Sequence, residues 1–187
     1  MIKLKKIINE LQGKTLHIYD FDDTLVDTET NVKVVNKLGQ VKKLSSAEFA
    51  TYKIQPGERF DYSDFDKMIK DSKPITRNLE QIKKSASNPG IKTTVLTARR
   101  LAFPIMQHLK QKHNLQVYVV GVAGPDPELK ANWIEANVKR GYKNIKFIDD
   151  SIKNLIAVGK RLSKYQDLNL SLIDAKTGQE LQTQAYL

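Results

Sequence analysis

Two aspartates spaced one residue apart close an apolar run in His17-Ile18-Tyr19-Asp20-Phe21-Asp22-Asp23-Thr24-Leu25. Side chains just beyond the C-terminal end of a strand in a parallel α/β sheet open into the ligand crevice, and Asp20 and Asp22 would stand there. Alternate carboxylates with a hydroxyl two positions on can share a divalent cation, leaving one oxygen for nucleophilic attack and another for proton transfer. Two plainer readings compete. A calcium loop of the EF-hand type, counted from Asp20, needs Gly at its sixth position and Glu at its twelfth, where this chain has Leu25 and Asn31. A solvated acidic turn is the other, and it is weighed by whether partners follow along the chain.

Three later segments supply them. Lys92-Thr93-Thr94-Val95-Leu96-Thr97-Ala98-Arg99 is β-branched and apolar, follows an Asn88-Pro89-Gly90 turn, and ends on a hydroxyl and an arginine. Gly124-Pro125-Asp126-Pro127-Glu128-Leu129-Lys130 reads as a loop, an N-cap at Asp126, a proline at the first helical position, and a lysine in the first turn. A cation there opposes the helix dipole, which singles out Lys130 as a residue wanting an anion nearby. Asn144-Ile145-Lys146-Phe147-Ile148-Asp149-Asp150-Ser151 is a further apolar strand ending on two carboxylates.

In this order the segments resemble the four motifs of the haloacid dehalogenase (HAD) superfamily of phosphotransferases, over roughly residues 15 to 155. Asp20-Phe21-Asp22-Asp23-Thr24-Leu25 matches the first, Thr97 the second, Lys130 the third, and Asp149-Asp150 a paired-acid form of the fourth. The resemblance implies a magnesium-dependent phosphomonoester hydrolase acting through an aspartyl-phosphate. Asp20 would attack phosphorus, and Asp22 would protonate the leaving oxygen and then activate water. Thr97 and Lys130 would bind the transferring phosphoryl oxygens, with Arg99 reaching a substrate phosphate. Magnesium would be held by the carboxylates of Asp20 and Asp150 and the backbone carbonyl of Asp22, with Asp149 orienting Lys130 or a metal-bound water. Asn154 stands where many relatives have a further Asp, a departure that bears on the outer shell of the metal. Asp22 favours phosphatase over dehalogenase, because cleaving a carbon–halogen bond needs no general acid there.

The elements that must position these residues alternate. Strands are expected at about 15–19, 91–96, 116–121, 144–148 and 168–173, and helices at about 74–86, 102–113, 127–140 and 151–164. That alternation predicts an α/β fold, a doubly wound parallel five-stranded sheet with helices on both faces, matching the Rossmann-like core of the resembled superfamily. Ile75, Leu79 and Ile82 share one helix face, as do Ile152, Leu155, Ile156 and Leu162, with Ser151 as N-cap. Near the start, Leu4, Ile7, Ile8 and Leu11 keep helical spacing up to Gly13.

Residues 26–74 exceed a simple crossover. Val32, Val34 and Val35 lead into a Lys37-Leu38-Gly39-Gln40 turn, followed by Val41 and Leu44, which predicts a hairpin. Ser45 and Glu48 have capping-box spacing, and Ser63 to Asp66 opens a short helical pattern. By resemblance the hairpin is a small flap over the nucleophile, without a large cap domain, an open design suited to large substrates. Tyr52, Phe60, Tyr62 and Phe65 either pack this flap or offer a stacking surface.

The 187 residues suit a single domain, 1–187, with a sizeable core. No cysteine is present, which excludes disulfides, thiolate metal sites and cysteine nucleophiles. No apolar run is long enough to cross a bilayer, and Lys3, Lys5 and Lys6 interrupt a secretory pattern, so a cytoplasmic protein without a membrane partner is expected. The net charge of +10 and pI near 9.6 invite a nucleic-acid partner. Many cations, however, fall at predicted helix C-termini: Lys83, Lys84, Lys110, Lys112, Lys139, Arg140, Lys160, Arg161 and Lys164. Those ends face away from the strand tips. Arg99, Arg100, Lys130, Lys153, Lys33, Lys37, Lys42 and Lys43 are left to approach the crevice. His17 is read as a packed strand residue, His113 as a helix-end residue and Trp133 as core. The expected partner is a phosphorylated substrate, with a nucleic-acid terminal phosphate leading, a small-molecule phosphatase or nucleotidase second, and a non-catalytic phosphate-binding module third.

Overall fold

The computed structural model describes residues 13–28, 30–182 and 185. The amphipathic pattern at Leu4 to Leu11 lies outside the described residues. The first element among the described residues is β1 (Lys14–Tyr19), followed by an insertion made of β2 (Val26–Thr28), β3 (Val32–Val35), β4 (Val41–Leu44), α1 (Ser46–Thr51), β5 (Arg59–Asp61), a 3-10 turn at Ser63–Asp66, and β6 (Ser72–Pro74). The chain then alternates: α2 (Thr76–Ala86), β7 (Ile91–Thr97), α3 (Phe103–His113), β8 (Tyr118–Gly121), α4 (Pro127–Lys139), β9 (Tyr142–Asp149), α5 (Ile152–Leu162) and β10 (Asn169–Asp174).

The main sheet has the order β10-β9-β1-β7-β8, and every pairing in it is parallel. The chain steps outward from β1 through β7 to β8, then returns to the other side of β1 with β9 and β10. The strand order therefore reverses between β1 and β9, the switch point where open α/β sheets bind ligands. This is a Rossmann-like α/β architecture.

Alternation along the strands sorts two cores. Leu16 and Ile18 of β1 join Leu96, Phe147, Ile134, Leu155, Val158 and Leu162, on the face covered by α4 and α5. Tyr19 joins Val95, Ile148, Leu79, Ile82, Ile105 and Leu109, on the face covered by α2 and α3. His17 is packed there as expected, its Nδ1 2.8 Å from the Ser85 hydroxyl, which also meets the Tyr19 hydroxyl at 2.9 Å. Trp133 is partly buried against the first core.

Three local expectations change. Helix α2 starts at Thr76, not 74, because Ser72–Pro74 pairs antiparallel with Val26–Thr28 and Ile75 donates to the Leu25 carbonyl. Ser151 occupies the N-cap of α5 but caps nothing through its hydroxyl; its amide instead donates to Asp149 Oδ1 at 2.9 Å. Ile152 is 43% exposed, so the apolar face of α5 starts at Leu155.

The insertion holds the expected hairpin and more. β3 pairs with β4 and, on its other edge, with β5. The Asn36 carboxamide accepts from the amides of Leu38 and Gln40, and Gly39 takes φ +77 to close the turn. The Ser45–Glu48 capping box is present. Val34 and Leu44 are buried on the face that also carries Phe60, and the rings of Phe49, Phe60 and Tyr62 meet edge-on or tilted, so most of the insertion's aromatics pack one another. No helix among the described residues is long and apolar enough to cross a membrane.

Candidate functional site

The tips of β1, β7 and β9 and the first turn of α4 supply the side chains that the sequence singles out. The amide of Asp20 donates to the Ile148 carbonyl at 2.9 Å, which carries the first residue after β1 alongside the end of β9. The chain then coils so that the amides of Thr24, Leu25 and Val26 converge on the Phe21 carbonyl, with Asp23 at φ +55. Thr24 is buried, and its hydroxyl accepts the Asp150 amide at 3.1 Å, tying the two carboxylate-bearing turns together.

Lys130 lies 3% exposed in the first turn of α4, with Asp126 capping the helix and Pro127 following. Its ammonium donates to Asp20 Oδ1 and Asp149 Oδ2, both at 2.7 Å. These are the anions that its unfavourable position at a helix N-terminus calls for. Asp149 is fully buried and fully used: Oδ1 accepts from the Ser151 amide and Asn154 Nδ2, and Oδ2 accepts from Lys130 and the same Asn154 nitrogen. Asn154 thus steadies Asp149, which steadies Lys130.

Asp20, Asp149 and Asp150 each offer an oxygen within 4.8 Å of the others. An all-oxygen, carboxylate-rich set of this kind suits a hard divalent cation, and the charges fit one. Burial lifts the Asp20 carboxyl well above the usual carboxylate range; Lys130 opposes the rise and Asp149, Asp150 and Asp22 add to it. Asp150 is raised by burial and by Asp149, against the pull of Lys176. For Lys130, burial alone would lower the pKa, but Asp149 and Asp20 reverse this and hold it above its ordinary value. Among the described residues three clustered carboxylates thus share two ammonium groups, an imbalance that a cation would relieve. With both Asp149 oxygens occupied, Asp20 and Asp150 are the carboxylates left to hold it.

Thr97 ends β7, fully buried, its hydroxyl accepting the Arg99 amide at 3.2 Å. The loop after it is folded onto β8, with Val122 donating to Thr97 and Gly124 to Ala98. Gly121 makes this possible, since a Cβ there would lie 2.3 Å from the Arg99 carbonyl. Arg99 is buried as well, and its guanidinium is turned to Asp22 rather than outward: Nε reaches Oδ2 at 2.8 Å and Nη2 reaches Oδ1 at 2.6 Å.

Of the other basic residues expected near the crevice, Lys33 pairs with Asp64 and Arg100 with Asp66. Lys42 lies over the Tyr52 ring, and Lys153 is exposed. Sequence reasoning missed Lys176, whose ammonium is 3.0 Å from Asp150 Oδ2. It lies just past β10, and the strand-tip rule that found the other groups, applied to that last strand, points to it. Asn78 was also missed: buried at the start of α2, it donates to the carbonyls of Thr24 and Ala175 and so joins the turn after Asp20 to the turn that carries Lys176. Neither a protein-family model nor a curated protein matches this chain.

Proposed function

We propose that this chain is a phosphomonoester hydrolase of the HAD type, magnesium-dependent and acting through an aspartyl-phosphate on a large or polyanionic ester such as a nucleic-acid terminal phosphate. The observation that carries the reading is the buried Lys130 ammonium bridging Asp20 and Asp149, with Asp150 beside them, at the switch point of a parallel sheet. A phosphoryl group arriving there meets a carboxylate nucleophile and a cation together.

In the first step an Asp20 oxygen bonds to phosphorus as the ester P–O bond breaks, and the leaving oxygen takes its proton from Asp22. In the second, Asp22 takes a proton from the water that attacks the phosphorus and frees Asp20. Both Asp22 oxygens accept from Arg99, and a carboxyl oxygen that accepts one hydrogen bond keeps a second lone pair for the proton it gives and takes. Lys130 holds Asp20 in place and offsets charge on the phosphoryl oxygens, and the buried Thr97 hydroxyl is their second candidate donor. Magnesium, held by Asp20, Asp150 and the Asp22 carbonyl, would supply charge neutralisation at the phosphoryl group.

The insertion's small size supports a large substrate: among the described residues a three-stranded sheet, a two-stranded ribbon, one short helix and a 3-10 turn leave no separate cap. The small-molecule alternative gains from the pairing of Lys33 and Arg100 with Asp64 and Asp66, which removes two cations from the rim. The deciding experiment is a magnesium-supplemented screen of mononucleotides, sugar phosphates, phosphopeptides and end-phosphorylated oligonucleotides. Turnover with one class, abolished in Asp20→Asn while circular dichroism is unchanged, is expected. Activity that survives Asp20→Asn rules out the covalent route.

A further inference from the structure

Arg99 makes more contacts than a residue waiting for a substrate phosphate should. Besides its two bonds to Asp22, Nη1 donates to the Phe65 carbonyl at 3.0 Å, and Nη2 reaches the hydroxyls of Thr30 at 3.1 Å and Thr28 at 3.4 Å. The guanidinium carbon stands 4.9 Å from the centre of the Phe65 ring and 5.7 Å from that of Phe21. Thr28 completes the arrangement by donating its own hydroxyl to Asp22 Oδ1 at 2.8 Å. Only 3% of Arg99 is exposed, so a ligand phosphate could take the fork only by displacing Asp22.

Three of these partners, Thr28, Thr30 and Phe65, belong to the insertion, while Asp22 belongs to the turn after β1 and Arg99 to the loop after β7. A guanidinium bound through two parallel N–H groups fixes the plane of a carboxylate as well as its distance. Proton transfer needs that control, because the acid or base must lie within hydrogen-bond reach of the moving proton.

We propose that Arg99 is a positioning residue: with the Thr28 hydroxyl it clamps the Asp22 carboxylate, and through Phe65 and Thr30 it makes the insertion part of the mounting for the proton-transfer group. The proposal rests on the hydrolase reading above. It changes the role of the insertion from cover to component.

The test compares wild type, Arg99→Gln, Thr28→Val, Asp22→Asn and the Arg99→Gln/Asp22→Asn double variant, using a phosphate ester that the wild type turns over. Arg99→Gln should lower kcat by about a hundredfold, the penalty of a misplaced catalytic group. KM and the inhibition constant for inorganic phosphate should stay within about twofold, since uniform binding is untouched. Thr28→Val, the milder change, should move kcat the same way by a smaller factor, again sparing KM. Independently of activity, Arg99→Gln should shift Tm by several degrees more in the wild-type background than in Asp22→Asn, because the two residues share one contact. Equal Tm shifts in the two backgrounds overturn the clamp. A rise in KM and in the phosphate inhibition constant with kcat unchanged overturns the positioning role and returns Arg99 to the substrate. A wild-type chain inert toward every ester, with the Tm coupling intact, overturns the hydrolase reading while leaving the clamp standing.

Discussion

Asp150 keeps one oxygen on Lys176, a side chain that is 64% exposed, whereas Asp149 is locked from every side. The difference matters for metal binding, because an exposed lysine gives up a carboxylate cheaply while still neutralising part of its charge. Lys176→Met should therefore strengthen magnesium binding, read as the same rise in Tm reached at several-fold lower magnesium concentration. Asp150→Asn should instead abolish that magnesium-dependent rise, and if the rise persists, Asp150 is not a ligand. At this scale the sequence was legible wherever a residue ended a strand or opened a helix: Asp20, Asp22, Thr97, Lys130, Asp149 and Asp150 all stand at such ends. It was illegible for the bonds those residues choose. That Arg99 would turn to Asp22, or that Lys176 would reach Asp150, depends on how separate loops meet across the sheet edge, and no local pattern records it.

One buried acid on α4, Glu135, joins that helix to α5 and to the turn that follows α5. Glu135 accepts from Lys164 at 2.6 Å and from the Tyr165 hydroxyl at 2.9 Å, with Lys139 and Arg161 each at 3.5 Å. The hydrogen bond from Lys164 is the largest cause holding its carboxyl at about 2, below an ordinary 4.5. A carboxylate depressed on folding adds stability above its unfolded value and loses it as pH falls. Glu135→Gln should accordingly cost stability at neutral pH, and the gap in Tm from wild type should close as pH drops from about 4.5 to about 2. A gap that stays constant over that window would assign the effect to packing alone. Helix and strand positions were largely readable from periodicity, with α3 and α4 starting within a residue of expectation. The misplaced start of α2 and the unforeseen β2, β5 and β6 share a cause: these strands are three residues long and are specified by partners far along the chain, too short for any period to show.

Across the whole molecule the basic excess is divided rather than massed. The last turns of α2, α3, α4 and α5 carry Lys83 and Lys84, Lys110 and Lys112, Lys139, and Lys160 and Arg161. In the insertion, register separates the remaining lysines. Lys43 stands opposite Lys33, on the same face as Arg59, whereas Lys42 stands opposite Val34, on the aromatic face. Lys33 is drawn to Asp64, next to the Phe65 that touches Arg99, which ties the face shared by Lys33, Lys43 and Arg59 to the segment that reaches Arg99. If an oligonucleotide end is the substrate, Lys43→Ala with Arg59→Ala should lower kcat/KM for it and flatten its salt dependence, while a small ester is spared and Lys42→Ala does little. Salt-independent turnover of oligonucleotides would leave the small-molecule alternative as the better reading.

The antiparallel ribbon of β2 and β6 has a bearing on how the chain folds. Central strand β1 must find β7, with Thr15 beside Ile91, across the entire insertion, and closing so long an excursion before any pairing rewards it slows folding. The ribbon brings Val26 against Pro74, so once it has zipped, the chain between β1 and β7 shrinks to little more than one helix. A variant with the ribbon unpaired is therefore expected to lose more in refolding rate than in final stability, with the insertion acting during folding as a self-closing loop.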